Sequence, residues 1–186
     1  MAGMGIGATL SSLLTALTFV AAVGEVSLGG ALCDISEIAD CEDAGTNEVY
    51  LQGNGLQKFN ETVTLYSPNL TLPYQIGDNL QVFLSLSVFN NGRWQENVFR
   101  KNFGGICTLG RMFAPSLYNS LLKKAGRKRC PVPPGDYQLQ GISFPIKLTW
   151  LFLPLGTFKN VVTFIKDDVT VGCKTFYIEI IPDRSS

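Results

Sequence analysis

The chain has 186 residues, of which 46% are hydrophobic and only 16% are charged. This length suffices for one domain with a sizeable core, and the low charged fraction is typical of a protein that handles apolar molecules or of a plain β-sandwich. The 15 basic and 15 acidic residues balance, which argues against a nucleic-acid partner.

Histidine is absent from the chain. Its absence excludes Ser-His-Asp and Cys-His catalysis and the zinc sites that contain histidine. The adjacent carboxylates Asp167 and Asp168 are better explained by a hairpin turn than by acid–base catalysis. We therefore expect a protein that is not an enzyme and that uses no cofactor or metal. A response to acidic pH would have to use carboxylates.

The first 24 residues carry no charged side chain, and residues 8–23 form an apolar run that ends in small residues. This pattern predicts a secretory signal peptide over 1–24, cut after Gly24. The alternative is an uncleaved membrane anchor, although the run is shorter than the roughly 20 residues that a span needs. An N-terminal segment, 25–40, then precedes a main domain predicted over 41–186.

Two sequons precede the clearest strand of the chain. Asn60 and Asn69 each begin an Asn-X-Thr triplet, which predicts N-glycosylation in a secreted protein. Apolar residues then recur at every second position from Leu80 to Val88, with Gln81, Ser85 and Ser87 among the residues between them, the pattern of a half-buried strand. Asn91-Gly92 predicts a hairpin turn, with a return strand over about 93–101. Spacing alone leaves Trp94 open to either face of the sheet.

A short helix is predicted near residues 115–125. Pro115 suits the first helical turn, and Gly126 suits the end of the helix. Five basic residues follow the apolar stripe of this helix: Lys123, Lys124, Arg127, Lys128 and Arg129. This basic cluster fits docking on anionic lipid, or equally a solvated helix end and loop.

The chain from Cys130 onward predicts a β-hairpin and an apolar loop. Residues 161–165 and 169–181 are rich in β-branched and aromatic residues, with a polar turn at 166–168. Upstream, residues 148–156 are almost wholly apolar, and Pro154 has no N–H for a sheet. We interpret this stretch as a strand end leading into an apolar loop that is packed, bound to a partner or inserted in lipid. A strand buried on both faces is the alternative.

The order of these motifs resembles a known family. Five motifs follow one another in the chain: Cys130-Pro131, Gly135-Asp136-Tyr137, the apolar loop with Pro154, residues 155–159 and Gly172-Cys173. This order resembles that of the ML (lipid-recognition) domain family, in particular its ganglioside-activator type. The resemblance spans about 41–181 and is specific between Cys130 and Cys173. It implies an all-β fold: an immunoglobulin-like β-sandwich opened into a lipid-binding β-cup.

The resemblance also implies a cysteine pairing. Cys41 would pair with Cys173, and Cys107 with Cys130, while the family's further bridges around the second pair are absent here. Cys33 is left over. It is free, pairs between chains, or exchanges roles with Cys41.

On this interpretation the protein is a secreted or lysosomal carrier that extracts a glycosphingolipid or phospholipid from a membrane and presents it to a lysosomal glycosidase. The expected cavity residues are Leu84, Leu86, Val88, Phe144, Phe164, Phe176 and Ile178. The expected membrane-contact residues are Met112, Phe113, Trp150, Leu151, Phe152 and Leu153. The alternatives are a lipid-sensing immune or signalling protein of the same fold, and an Ig-like adhesion or interaction module with a filled core.

Overall fold

The computed structural model describes residues 31–53, 55–60, 63–144, 146–148 and 154–182. This part of the chain is mostly β-structure with two helices, which confirms the predicted all-β, sandwich-like fold. The strands are β1 (Ala31–Asp40), β2 (Tyr50–Gln52), β3 (Leu56–Lys58), β4 (Thr64–Tyr66), β5 (Asn69–Leu72), β6 (Gln81–Asn90), β7 (Arg93–Gly105), β8 (Gly135–Gln138), β9 (Ile142–Phe144), β10 (Ile146–Leu148), β11 (Gly156–Lys166) and β12 (Val169–Pro182).

The strands form one large sheet and two small ones, and every pairing is antiparallel. The large sheet has the order β10-β1-β12-β11-β6-β7, and the small sheets have the orders β2-β5-β8 and β3-β4-β9. One core joins the large sheet to the small ones. Its buried side chains include Ile35, Ile38 and Ile180 from the large sheet and Tyr66, Leu72 and Ile142 from the small sheets.

Both predicted hairpins are confirmed. Asn91 and Gly92 join β6 to β7 with φ angles of 51° and 75°, and Asp167 and Asp168 join β11 to β12 with φ angles of 49° and 62°. Two successive positive φ angles match the right-handed twist of the paired strands. The return strand β7 is longer than expected and reaches Gly105.

Residues 31–40, which the sequence placed in an N-terminal segment, form a strand inside the large sheet. This strand, β1, lies between β10 and β12. A bulge between Ile35 and Glu37 interrupts its register, so its buried side chains do not follow a simple alternation. The described part of the segment therefore belongs to the folded domain.

Two helices follow β7. Helix α2 (Pro115–Lys124) confirms the predicted helix, whereas helix α1 (Ile106–Phe113) was not predicted. The backbone N–H and the hydroxyl of Thr108 donate to the Asp78 carboxylate at 2.9 and 3.0 Å, which caps α1 from a distant loop. A Cβ at Gly105 would overlap the Asp78 side chain. Neither helix is long and apolar enough to cross a membrane.

The cysteine pairing agrees with the resemblance. Cys41 is bonded to Cys173 and Cys107 to Cys130, with Cα–Cα distances of 5.8 and 6.3 Å. Cys33 is a free, buried thiol. Burial, and secondarily the charge of Asp34, raises the pKa of this thiol to about 12. Two disulfides are typical of an extracellular or lumenal, oxidising environment.

Candidate functional site

The predicted cavity residues share one face of the large sheet. Cross-strand pairing aligns Val88 with Phe158 and Ile178, and Leu86 with Phe176 through β11. This inward face, which points to the core, also carries Leu84 and Phe164. The inward face thus holds Leu84, Leu86, Val88, Phe164, Phe176 and Ile178. Phe144 pairs with Thr64 in the small sheet β3-β4-β9, and its side chain lies outside the described part of the structure.

Burial along the inward face is uneven. Phe158 and Val82 are 2% and 1% exposed, whereas Leu84, Phe164 and Phe176 are only half-buried. Strands β6, β11 and β12 each have a neighbour on both sides, so open sheet edges do not explain this exposure. A filled sandwich buries such side chains almost completely. Leu84, Phe164 and Phe176 are therefore less completely covered than Phe158 and Val82 on the same face.

An amide group lies within this apolar face. Asn160 pairs with Leu86 on one side and Phe176 on the other, and it is therefore an inward residue. Its Oδ1 atom is buried and accepts no hydrogen bond from the residues that the structure describes. The buried hydroxyl of Tyr66, in β4, also has no partner among the described residues. Burial and then the charge of Asp40 raise the pKa of Tyr66. Neither Asn160 nor Tyr66 has a signal in the sequence pattern that marks it as a site residue.

Aromatic side chains extend from the inward face to helix α1. Phe99, on edge strand β7, pairs with Leu86 and is 44% exposed. The ring of Phe103 lies 6.2 Å from that of Phe99 and 5.4 Å from that of Phe113. Met112 is 62% exposed. We call Phe99, Phe103, Met112 and Phe113 the apolar rim.

The predicted membrane-contact residues divide between two regions. Met112 and Phe113 belong to the apolar rim, whereas Trp150, Leu151, Phe152 and Leu153 lie outside the described residues. Their flanking strands are described. Leu148 pairs with Ala31, and Gly156 pairs with Ile180, at one end of the large sheet. Helix α1 starts beyond Gly105, which pairs with Gln81 at the other end. The structure therefore does not bring the two groups together through their flanking strands.

The basic cluster follows the apolar rim along the chain. Lys123 and Lys124 end helix α2, and residues 127–129 precede the Cys107–Cys130 disulfide. All five basic side chains are exposed, and within the described part of the chain none of them forms an ion pair. Positive charge is therefore available to solvent close in sequence to the apolar rim.

The outward face of the large sheet carries a second cluster. The Trp94 ring lies 5.2 Å from Phe89 and 5.9 Å from Tyr177, which places Trp94 on the outer surface. Lys159 pairs with Glu96 at 2.7 Å. Hydrogen bonds from Lys159 and from Ser87 lower the pKa of Glu96. Beside this cluster is an open groove of about 450 Å³, lined by Phe83, Ser85, Asn97, Arg100, Val161, Thr163, Ile165 and Thr170.

The predicted glycosylation sites are accessible. Asn60 and Asn69 are both exposed, and Asn69 lies in β5, the central strand of its small sheet. Comparison with known proteins adds no family assignment, because no family model and no curated protein matches this chain.

Proposed function

We propose that this protein is a non-enzymatic lipid-binding and transfer protein that works in a secreted or lysosomal compartment. The observation that supports this proposal most is the incompletely buried inward face of β6, β11 and β12, three of the interior strands of the large sheet. Leu84, Phe164 and Phe176 are half-buried there, although each lies in a strand paired on both sides. A hollow lined by such side chains suits the hydrocarbon chains of a glycolipid or phospholipid.

The transfer step needs no chemical catalysis. Each buried CH₂ group contributes about 0.8 kcal/mol when it leaves water. A lipid tail that moves from a bilayer to an apolar hollow is out of water in both places, so the exchange is close to neutral and reversible. A headgroup that remains at the mouth would be accessible to a hydrolase. The ML resemblance supports a lysosomal glycosidase in that role.

The apolar rim supplies a route between membrane and hollow. Met112 is the most exposed rim residue, and Phe113 contacts Phe103, which contacts Phe99 on the inward side of β7. A contiguous exposed apolar patch is typical of a site that binds protein or membrane. The basic cluster, which follows the rim along the chain, would add attraction to anionic headgroups. We therefore propose transient docking on a membrane surface through the rim.

Native mass spectrometry of the purified, secreted protein after incubation with mixed lipid vesicles tests this function. We expect an added mass that solvent extraction releases as lipid. Val162→Phe places a larger side chain on the inward face and should reduce the bound fraction severalfold. Val161→Phe is the matched control, because Val161 pairs with Ser85 on the outward face. A lipid-free wild-type protein, or equal loss in both variants, would contradict the proposal.

One observation favours a second candidate, an Ig-like interaction module. The outward face combines the exposed Phe89 and half-buried Trp94 with the groove beside Arg100. Tyrosine, tryptophan and arginine are enriched at protein interfaces. This candidate predicts that the protein carries no extractable lipid and that Trp94→Ser weakens binding to a protein partner.

A further inference from the structure

Three residues of the basic cluster are, among the described residues, the only lysines and arginines outside helices and strands. Arg127, Lys128 and Arg129 follow one another in the connection between α2 and β8. Every other lysine and arginine in the described part of the chain belongs to a helix or a strand. We call Arg127-Lys128-Arg129 the basic triplet, because here alone in that part of the chain basic side chains lie on irregular backbone.

The backbone of the basic triplet is accessible together with its side chains. All three residues are exposed. The Arg127 N–H donates to the Leu122 carbonyl at 2.9 Å, but no backbone hydrogen bond joins Lys128 or Arg129 to other described residues. Exposed loops of this kind are preferred sites of proteolytic cleavage, because a protease can bind them without first opening a helix or a sheet. The basic triplet therefore presents basic side chains and accessible peptide bonds to an endoprotease.

The chain is anchored on both sides of the basic triplet. Before it, Leu122 of α2 is 5% exposed and belongs to the core. After it, Cys130 is bonded to Cys107, and Val132 exchanges two backbone hydrogen bonds with Ile76 at 2.8 and 2.9 Å. A cut within the triplet would therefore create two short chain ends and remove no side chain from the core.

Both disulfides span the basic triplet. Cys107–Cys130 and Cys41–Cys173 each close a loop that contains residues 127–129. After a cut, the part of the chain before the triplet and the part after it would stay joined by two covalent bonds. The pairings of β1 with β12, β6 with β11 and β5 with β8 also connect the two parts. The product would be a two-chain protein with the same fold rather than two fragments that separate.

We propose that the basic triplet is a processing site for an endoprotease that cuts after paired basic residues. The step is hydrolysis with water as the co-reactant. The C–N bond of one peptide group breaks, the water oxygen joins the carbonyl carbon to give a carboxylate, and both water protons pass to the nitrogen to give an ammonium group. The inference rests on the proposed secretory or lysosomal compartment, which the two disulfides favour, and it is independent of lipid binding.

Limited digestion of the purified, secreted protein tests this proposal. The probes are trypsin at a low enzyme ratio and a secretory endoprotease specific for paired basic residues. Without reductant, we expect the intact mass to rise by one water molecule. After reduction, we expect two fragments, with the new amino terminus between Lys128 and Cys130. The cut protein should keep its cooperative unfolding transition in urea, because its core is complete.

Variants then assign the cut to the basic triplet. Arg127→Gln/Lys128→Gln/Arg129→Gln should slow the first cut within residues 31–182 about a hundredfold, because the other basic residues there become accessible only when a helix or strand opens. Lys123→Gln/Lys124→Gln changes the two cluster residues inside α2 and is the matched control, which should be cut at the wild-type rate. Lipid binding is measured separately, so its failure would leave this proposal standing. A first cut elsewhere within 31–182, fragments that separate without reductant, or resistance of the folded wild type to the paired-basic endoprotease would overturn it.

Discussion

Asp40 and Lys174 are direct cross-strand partners, and the Lys174 ammonium donates a hydrogen bond to the Asp40 carboxylate. The lysine side chain is only 2% exposed, whereas that of the aspartate is 60% exposed. Each residue is the chain neighbour of a cysteine in the Cys41–Cys173 disulfide. An ion pair and a covalent bond thus join the end of β1 to β12 at the same place.

Removing the carboxylate should destabilise the protein. Asp40→Ala takes one ion-pair partner from a buried ammonium group, and we expect the free energy of unfolding to fall by about 2–3 kcal/mol. Urea unfolding followed by tryptophan fluorescence measures it. The double variant Asp40→Ala/Lys174→Met should recover much of the loss, because no buried charge then remains. A double variant that is no more stable than Asp40→Ala would contradict this account.

The two disulfides should differ in their contributions to stability. Cys41–Cys173 joins residues separated by 132 positions, and Cys107–Cys130 joins residues separated by 23. Chain-entropy models assign about 5 kcal/mol to the longer loop and about 3.5 kcal/mol to the shorter one. We therefore expect Cys41→Ser/Cys173→Ser to lower the unfolding free energy more than Cys107→Ser/Cys130→Ser. The reverse order in urea unfolding would show that strain or local packing outweighs loop length.

Glu96 should couple stability to acidic pH. Its pKa is lowered from 4.5 because Lys159 and Ser87 donate hydrogen bonds to it. A carboxylate whose pKa is lower in the folded state stabilises the fold above the unfolded pKa and loses this effect as pH falls through the folded pKa. Glu96→Gln should thus be slightly less stable than wild type at pH 7 and pH 5. The gap should be below about 1 kcal/mol, because the pair is partly exposed.

Urea unfolding of both proteins at pH 7, 5 and 3 checks this dependence. We expect the stability gap between wild type and Glu96→Gln to be smaller at pH 3, because the unfolded chain, with its ordinary glutamate pKa of 4.5, takes up a proton there. The gap should stay constant between pH 7 and 5. A gap of the same size at all three values would show that the charge of Glu96 has no part in it.

Met112 should contribute to membrane docking without contributing to the fold. It is 62% exposed, so Met112→Ser should leave the unfolding midpoint unchanged. Loss of one apolar side chain from the docking surface should weaken binding to anionic vesicles by about tenfold. Phe89→Ser is the matched control, because Phe89 is 45% exposed in the outward aromatic cluster. Equal vesicle binding by wild type and Met112→Ser in a flotation assay would contradict docking through the apolar rim.

The Cys33 thiol should be unreactive toward alkylating reagents in the folded protein. Its thiol is buried, and burial raises its pKa to about 12, so almost none of it is ionised at pH 8. Because the thiolate is the reactive form, we expect no modification by iodoacetamide under native conditions. In urea without reductant, one thiol per chain should react. Rapid modification of the native protein would mean that β1 opens readily.

The two hairpin turns and helix α2 could be predicted from the sequence, because residues within each of them determine its conformation. Asn91-Gly92 and Asp167-Asp168 specify tight turns through residues that tolerate positive φ, and Pro115 marks the start of α2. Helix α1 escaped prediction because its cap is Asp78, which lies 30 residues away from Thr108 in the chain. Strand β1 escaped because the bulge after Ile35 breaks the alternation of its buried side chains.

The candidate site was predicted only in part, because contacts between distant parts of the chain determine how well its residues are buried. Alternation identified Leu84, Leu86 and Val88 as one face, and the register confirms that they share it. Alternation does not reveal how well the opposite layer covers a face, so the half-burial of Leu84 had no sequence signal. Asn160 precedes the apolar run that marked the strand, and only the pairing with Leu86 and Phe176 shows it to be inward.

Strand β7 forms an edge of the large sheet and, among the described residues, pairs only with β6. An edge strand of 13 residues could pair with a strand of another chain. The exposed Phe99 would favour such pairing. Two register shifts interrupt the pairing of β7 with β6, and Arg100 and Lys101 are exposed on this strand. The edge strand that carries Phe99 and Phe103 thus also carries two features that disfavour its pairing with a second chain.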